Sequence, residues 1–158
     1  MKKLLAVFAL LAAACAPRIN DITTTPDDPP SFRRAALLPE NRGRDMTYAI
    51  SNIGPQRKAY PDLKPLARAD APEAAYEAAL AAARRMPRWS VLAADAAARV
   101  IEAVATTGAL RFKDDVVIEV RPNGTGSAVH VRSKSRVGRS DFGANAERIR
   151  AYFAELGP

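Results

Sequence analysis

The sequence has little of what most metal centres and many catalytic centres are built from. It contains one Cys and one His in 158 residues. A single thiol closes no internal disulfide, and His130 without a second His or Cys partner makes no zinc site. Aromatic residues are 6% of the chain and are not interleaved with Lys or Arg, as a stacking platform for single-stranded nucleic acid requires. No Gly-rich phosphate loop of Walker or Rossmann type is present. No apolar run approaches the roughly 20 residues that cross a bilayer core. A Ser-His-Asp set can be drawn from Ser133 or Ser135, His130 and Asp141, but no nucleophile elbow accompanies it. No cofactor and no metal is expected.

What the N-terminus does contain is Lys2-Lys3, then an unbroken apolar run from Leu4 to Ala14, then Cys15. A positive n-region, a short apolar h-region and small residues at the cut site describe a secretory signal peptide over residues 1–14. The stretch Leu11-Ala12-Ala13-Ala14-Cys15 resembles a bacterial lipobox, although Leu lies one place further from the Cys than in the commonest pattern. The resemblance implies that Cys15 becomes the first mature residue and carries the lipid. Several acyl chains on one residue anchor stably, whereas one alone is marginal. Ala16, rather than Asp, favours the outer membrane over the inner. The alternative is an ordinary signal peptide cut nearby, with Cys15 incidental. The expectation is a periplasm-facing envelope protein that partners a membrane and not nucleic acid.

About 140 residues remain, enough for one domain. Loss of Lys2 and Lys3 lowers the formal charge from +7 to +5. The remaining basic excess is scattered Arg, and its plainest meaning is a solvated surface. Proline divides the chain: eight of the twelve lie between Pro17 and Pro65. Residues 15–62 therefore read as an arm with extended backbone. Phe32, Leu37, Leu38, Tyr48, Ile50 and Ile53 are too apolar for a pure spacer, so part of the arm is expected to pack on the domain, residues 63–158.

Within that domain, Leu63–Arg68 reads as a short edge strand carrying Pro65. Asp70, Pro72 and Glu73 open a helix over about 72–87, with Tyr76, Ala79, Leu80, Ala83 and Met86 at helical spacing. Trp89–Leu92 reads as a strand. The stretch 96–107 is ambiguous, because its Ala residues favour helix while Val100, Ile101 and Val104 favour strand. Residues 115–121 alternate, Asn123-Gly124 marks a hairpin turn, and residues 127–135 alternate again. Val129 and Val131 point inward there, which sets His130 and Arg132 on an outward row. A last helix spans about 141–156, with an apolar stripe of Phe142, Ala146, Ile149, Tyr152, Phe153 and Leu156. The fold class expected is α+β: one small domain, an antiparallel sheet of about four to five strands and two main helices.

The densest chemistry lies between the last strand and the last helix. Ser133, Ser135, Arg136, Gly138, Ser140, Asp141, Asn145 and Arg148 bring hydroxyls, cations, glycines and a helix start into one segment. Exposed N–H groups at a helix start with Arg nearby suit a phosphate or carboxylate. Asp141, Asn145 and Arg148 share one helical stripe. The structural alternative is that Ser140 or Asp141 caps the helix, the glycines turn the chain, and Arg148 pairs with Asp141 or Glu119. Asp114-Asp115 fits a turn better than an acid–base pair.

Two long motifs carry a further resemblance. Phe112-x-Asp114-Asp115-Val116-Val117-Ile118 is the first. Val131-Arg132-Ser133-x-Ser135-Arg136-x-Gly138-x-Ser140-Asp141-x-Gly143-x-Asn145-x-x-Arg148-Ile149 is the second. With Asn20 to Phe32 and Ala59 to Leu66, they resemble the bacterial and plastid family of unknown function called DUF1499, over about residues 20–156. The resemblance implies that the arm belongs to the domain and that a strand lies near 99–107. It implies no activity. Three functions therefore stay open. The first is non-catalytic binding of an anionic ligand or headgroup at 133–148. The second is a structural or assembly lipoprotein docking an envelope protein. The third is an enzyme using Asp141, Asn145 and Arg148.

Overall fold

The structure, a computed structural model, describes residues 17–108 and 110–158; Cys15 and Ala16 lie outside the described residues. In chain order the elements are β1 (Asp21–Thr23), α1 (Ile53–Ala59), β2 (Leu66–Arg68), α2 (Pro72–Arg85), β3 (Trp89–Asp95), β4 (Val100–Thr106), β5 (Lys113–Asn123), β6 (Gly126–Ser135) and α3 (Ala144–Leu156). Three short 3-10 turns lie between β1 and α1. The sheet has six antiparallel strands in the order β1-β6-β5-β4-β3, with β2 also on β6. β1 pairs with residues 132–134 and β2 with residues 127–129, so the two lie end to end along one edge. This is an α+β fold, and residues 96–107 contribute β4.

Local chemistry explains several boundaries. The β5–β6 hairpin turns at Gly124, whose φ of 58° is left-handed. Gly126 opens β6 because a Cβ there would stand 2.2 Å from the Arg68 carbonyl oxygen of β2. Pro72 sits in the first turn of α2, where its missing N–H costs nothing. Asp70 does not cap that helix; its carboxylate accepts from Arg68 Nε at 2.8 Å and Nη2 at 2.6 Å.

The two sheet faces are covered differently. On one, Tyr76, Ala79, Leu80 and Ala83 of α2 and Ile149 and Tyr152 of α3 pack on Ile101, Val116, Ile118, Val129 and Val131. On the other, Phe32 and Ala35 of the segment between β1 and α1 pack on Val100 and Val117, while Ile19 and Ile22 belong to the cluster on the first face. Here the expected outward row is corrected: Arg132 is buried, with its side chain 2% exposed. Alternation placed it on the second face, but period-2 patterning cannot say whether a second layer covers that face.

That layer is held by charges on the strands. Arg132 donates to both Asp21 carboxylate oxygens at 2.9 and 2.8 Å and to the carbonyls of Pro30 and Met46 at 3.2 and 2.9 Å. Its guanidinium also lies 4.8 Å from the Phe32 ring centroid and 5.6 Å from that of Tyr48. The Glu102 carboxylate accepts from the backbone N–H groups of Arg33, Arg34 and Ala35 at 2.8 to 3.0 Å. Gln56 of α1 acts as an artificial neighbouring strand for β1, accepting from Thr23 N at 3.0 Å and donating to Thr23 O at 2.7 Å. Together these satisfy groups whose burial without partners would be unfavourable.

Arg132→Met leaves Asp21 buried with only Lys134 as counter-charge and should lower stability by about 3–5 kcal/mol. The double variant Asp21→Leu/Arg132→Met should lose less, as read by urea denaturation. His130 bonds Thr25 Oγ1 at 2.5 Å. Burial, then the Arg121 guanidinium, lowers its pKa below the ordinary 6.5, against the opposing pull of Glu119 and Asp28. A folded pKa below the unfolded one means the unfolded chain binds more protons within that window. Stability should therefore fall as pH drops from 6.5 toward the folded value, and His130→Gln should remove that part of the pH profile.

Candidate functional site

The segment from Ser133 to Arg148 joins the end of β6 to α3. Ser133 and Ser135 point toward the helices, and His130 lies on the opposite face, so no Ser-His-Asp set assembles. Asn145, fully buried, is the hub. Its Oδ1 accepts from Ser133 Oγ at 2.7 Å and from Arg148, and its Nδ2 donates to Ser135 Oγ at 2.9 Å and Asn20 O at 3.2 Å. Arg148 also donates to Ser133 Oγ at 2.9 Å and pairs with Asp114. Its carboxylate partner is thus Asp114, not Asp141 or Glu119.

Asp141 has a different task. One carboxylate oxygen accepts from Gly143 N and the other from Asn145 N, both at 2.9 Å. It closes the start of α3 from three residues ahead of the helix, with Gly143 at the cap position in a left-handed conformation (φ 89°). Both oxygens are occupied by backbone donors, so Asp141 does not converge with Asn145 and Arg148 on a common point. Arg136 donates to the Asp115 carboxylate at 2.7 to 3.1 Å. Asp115 is fully buried and also accepts from Asn41 Nδ2 at 2.9 Å. The Asp114-Asp115 pair is therefore part of a strand rather than a turn. Its two carboxylates point to opposite faces, each neutralised by an Arg of the 133–148 segment.

The remaining candidates border open space. Ser135, Gly138, Ser140 and Asp141 line a cleft of about 610 Å³ between the segment after β4 and the segment after β6. The volume falls in the range of small-molecule sites, about 300–1,000 Å³. Its other walls are mostly apolar: Leu110, Phe112, Val137, Phe142 and Ala144. Phe142 is a correction. It is not part of the helical stripe but precedes α3, at φ 52° and 72% exposed. The four-residue spacing to Ala146 imitates helical periodicity across a boundary that the sequence does not mark. A usable signal exists, because Val137-Gly138 and Phe142-Gly143 each set an apolar side chain beside a glycine that turns the chain. Arg111 and Arg139 flank the cleft by position, are exposed, and form no ion pair among the described residues.

The pairings make Arg136 a structural residue. Arg136→Ala should lower stability by about 3 kcal/mol, since it strands part of the Asp115 charge in the interior. Adding Asp115→Asn should restore part of the loss. Thermal melts of the two variants against the parent chain check both statements.

No curated protein and no solved structure matches the chain. The model of DUF1499, a protein of unknown function, matches residues 21–156, which run from the start of β1 to the end of α3. With nearly all of the domain inside that match, the chain belongs to the DUF1499 family.

Proposed function

We propose that this protein is a lipid-anchored envelope domain that binds, without catalysis, a ligand with an anionic head and an apolar chain. The lipid sits on Cys15, the domain faces the periplasm, and Ala16 directs it to the outer membrane. The ligand lies in the cleft bordered by Ser135, Gly138, Ser140 and Asp141. One observation carries the binding reading: an open cleft of about 610 Å³ whose walls include Leu110, Phe112, Val137 and Phe142. Exposed apolar surface gathered in a concavity marks a binding site more often than scattered surface does.

The same geometry moves the expected anion contact. Arg136 and Arg148 are bound to Asp115 and Asp114, so the head is met by Arg111 and Arg139 at the rim. An enzyme using Asp141 as a base is disfavoured, because both of its oxygens hold the helix start.

The test uses the full chain carrying Cys15→Ser, with three probes: lysophosphatidylglycerol and lysophosphatidylcholine below their micelle thresholds, and glycerol phosphate. Lysophosphatidylglycerol should raise the melting temperature saturably, with the stabilisation near 2.7 kcal/mol at about a hundredfold excess over Kd. Lysophosphatidylcholine should act more weakly, and glycerol phosphate not at all. Ala144→Trp, which fills the cleft, should abolish the response. A response to glycerol phosphate alone, or one that survives Ala144→Trp, would overturn the proposal.

A further inference from the structure

The first described residues are stitched to the wall of the cleft. Pro17 O accepts from Ser140 Oγ at 3.5 Å, and Ile19 O accepts from Asp141 N at 3.3 Å. Asn20 O accepts from Ser135 N at 2.8 Å, and the Asn20 side chain donates to Gly138 O. Cys15 precedes Pro17 by two residues, and consecutive Cα atoms are about 3.8 Å apart, so their Cα atoms are no more than about 7.6 Å apart. A group carried by Cys15 is therefore joined to the chain two residues before the residue that meets the cleft wall.

The surface at this end is unlike the rest. Six large apolar side chains are markedly exposed in the described chain, and four of them (Leu110, Phe112, Val137 and Phe142) are at the cleft. Arg111 and Phe142 hold left-handed backbone at φ 52°, uncommon for non-glycine residues, as Arg88 and Arg99 also do away from the cleft. Exposed Arg111 lies between Leu110 and Phe112 in the chain, and exposed Arg139 lies two residues after Val137. Apolar side chains flanked by cations, at the point where an anchor enters, match the layering of a lipid surface: acyl chains beneath phosphates.

We infer that the two segments carrying Leu110 and Phe142 dock into the leaflet that holds the anchor, with Arg111 and Arg139 at its phosphates. This rests on the lipid-anchored reading above. It sets the cleft mouth against the bilayer, so an amphiphilic ligand enters from the leaflet without crossing water. The β5–β6 hairpin tip, at the far end of two strands of ten or more residues, points away into the aqueous phase.

The test places one tryptophan at a time in the full-length, processed protein, reconstituted in phosphatidylethanolamine/phosphatidylglycerol vesicles. Trp89, the single native tryptophan, is replaced by Phe. Phe142→Trp reports the proposed docking face and Thr125→Trp the hairpin tip. Leu110→Trp serves in place of Phe142→Trp should circular dichroism show that variant unfolded. Vesicle flotation reports the anchor, and quenching by lipids brominated along their chains reports depth. The expected result is flotation, strong quenching at position 142 and none at position 125. Flotation with neither position quenched, or with both quenched alike, leaves the anchor standing and overturns the docking. Failure to float overturns the anchored reading and the docking together.

Discussion

The Arg132–Asp21 pair sits where the sheet, the first strand and the covering segment meet. It is a buried bidentate ion pair on the second face of the sheet, and two of its donor groups reach backbone carbonyls of the segment above. A charge in that position is strongly unfavourable without partners. The segment between β1 and α1 is thus neither tail nor spacer but the layer that allows β6 and β4 to carry Arg132 and Glu102 at all. In return, the strand charges give an otherwise irregular, proline-rich segment fixed attachment points. A buried ion pair is weak evidence for net stability, because apolar residues of similar size can do as well. What it does supply is register: only one placement of the segment puts Asp21, Pro30 and Met46 around a single guanidinium.

The same principle organises the other end of the sheet. Asp114 and Asp115 are consecutive on β5 and so point to opposite faces, one under α3 and one under the covering segment. Arg148 meets the first and Arg136 the second. The loop after β6, through Arg136, and the helix it leads into, through Arg148, thereby tie the helical layer to the covering layer through two carboxylates of β5. This accounts for the density of polar residues at 133–148 without any ligand.

Much of this was legible in the sequence, and the limits have physical causes. The strands at 115–121 and 127–135, the hairpin and both long helices follow from periodicity and turn residues, signals internal to each element. β1 was not legible: its three residues, Asp21–Thr23, carry no period, and their strand state comes from pairing with β6. The burial of Arg132 was not legible either, since alternation reports which face a side chain takes and not what lies over that face. Aspartates 114 and 115 resembled a turn because two adjacent acidic residues are rarely buried, and their cationic partners are 34 and 21 residues away. Phe142 was misplaced because i, i+4 spacing continues past the true start of α3.

The candidate segment itself was well located, but its chemistry differs from what its composition implies. An anion arriving at Arg136 or Arg148 meets a guanidinium already neutralised and hydrogen-bonded, and binding there must break contacts worth as much as those it makes. The apolar wall nearby carries no such cost. Leu110, Val137 and Phe142 contact water, and each Å² they bury returns about 25 cal/mol. Recognition at this end of the molecule is therefore expected to draw its strength from apolar contact. Charge enters through Arg111 and Arg139, which flank the cleft, are exposed and form no ion pair among the described residues. A cationic group that is exposed and unpaired contributes little by itself; next to apolar surface it selects which amphiphile, or which lipid surface, that surface accepts.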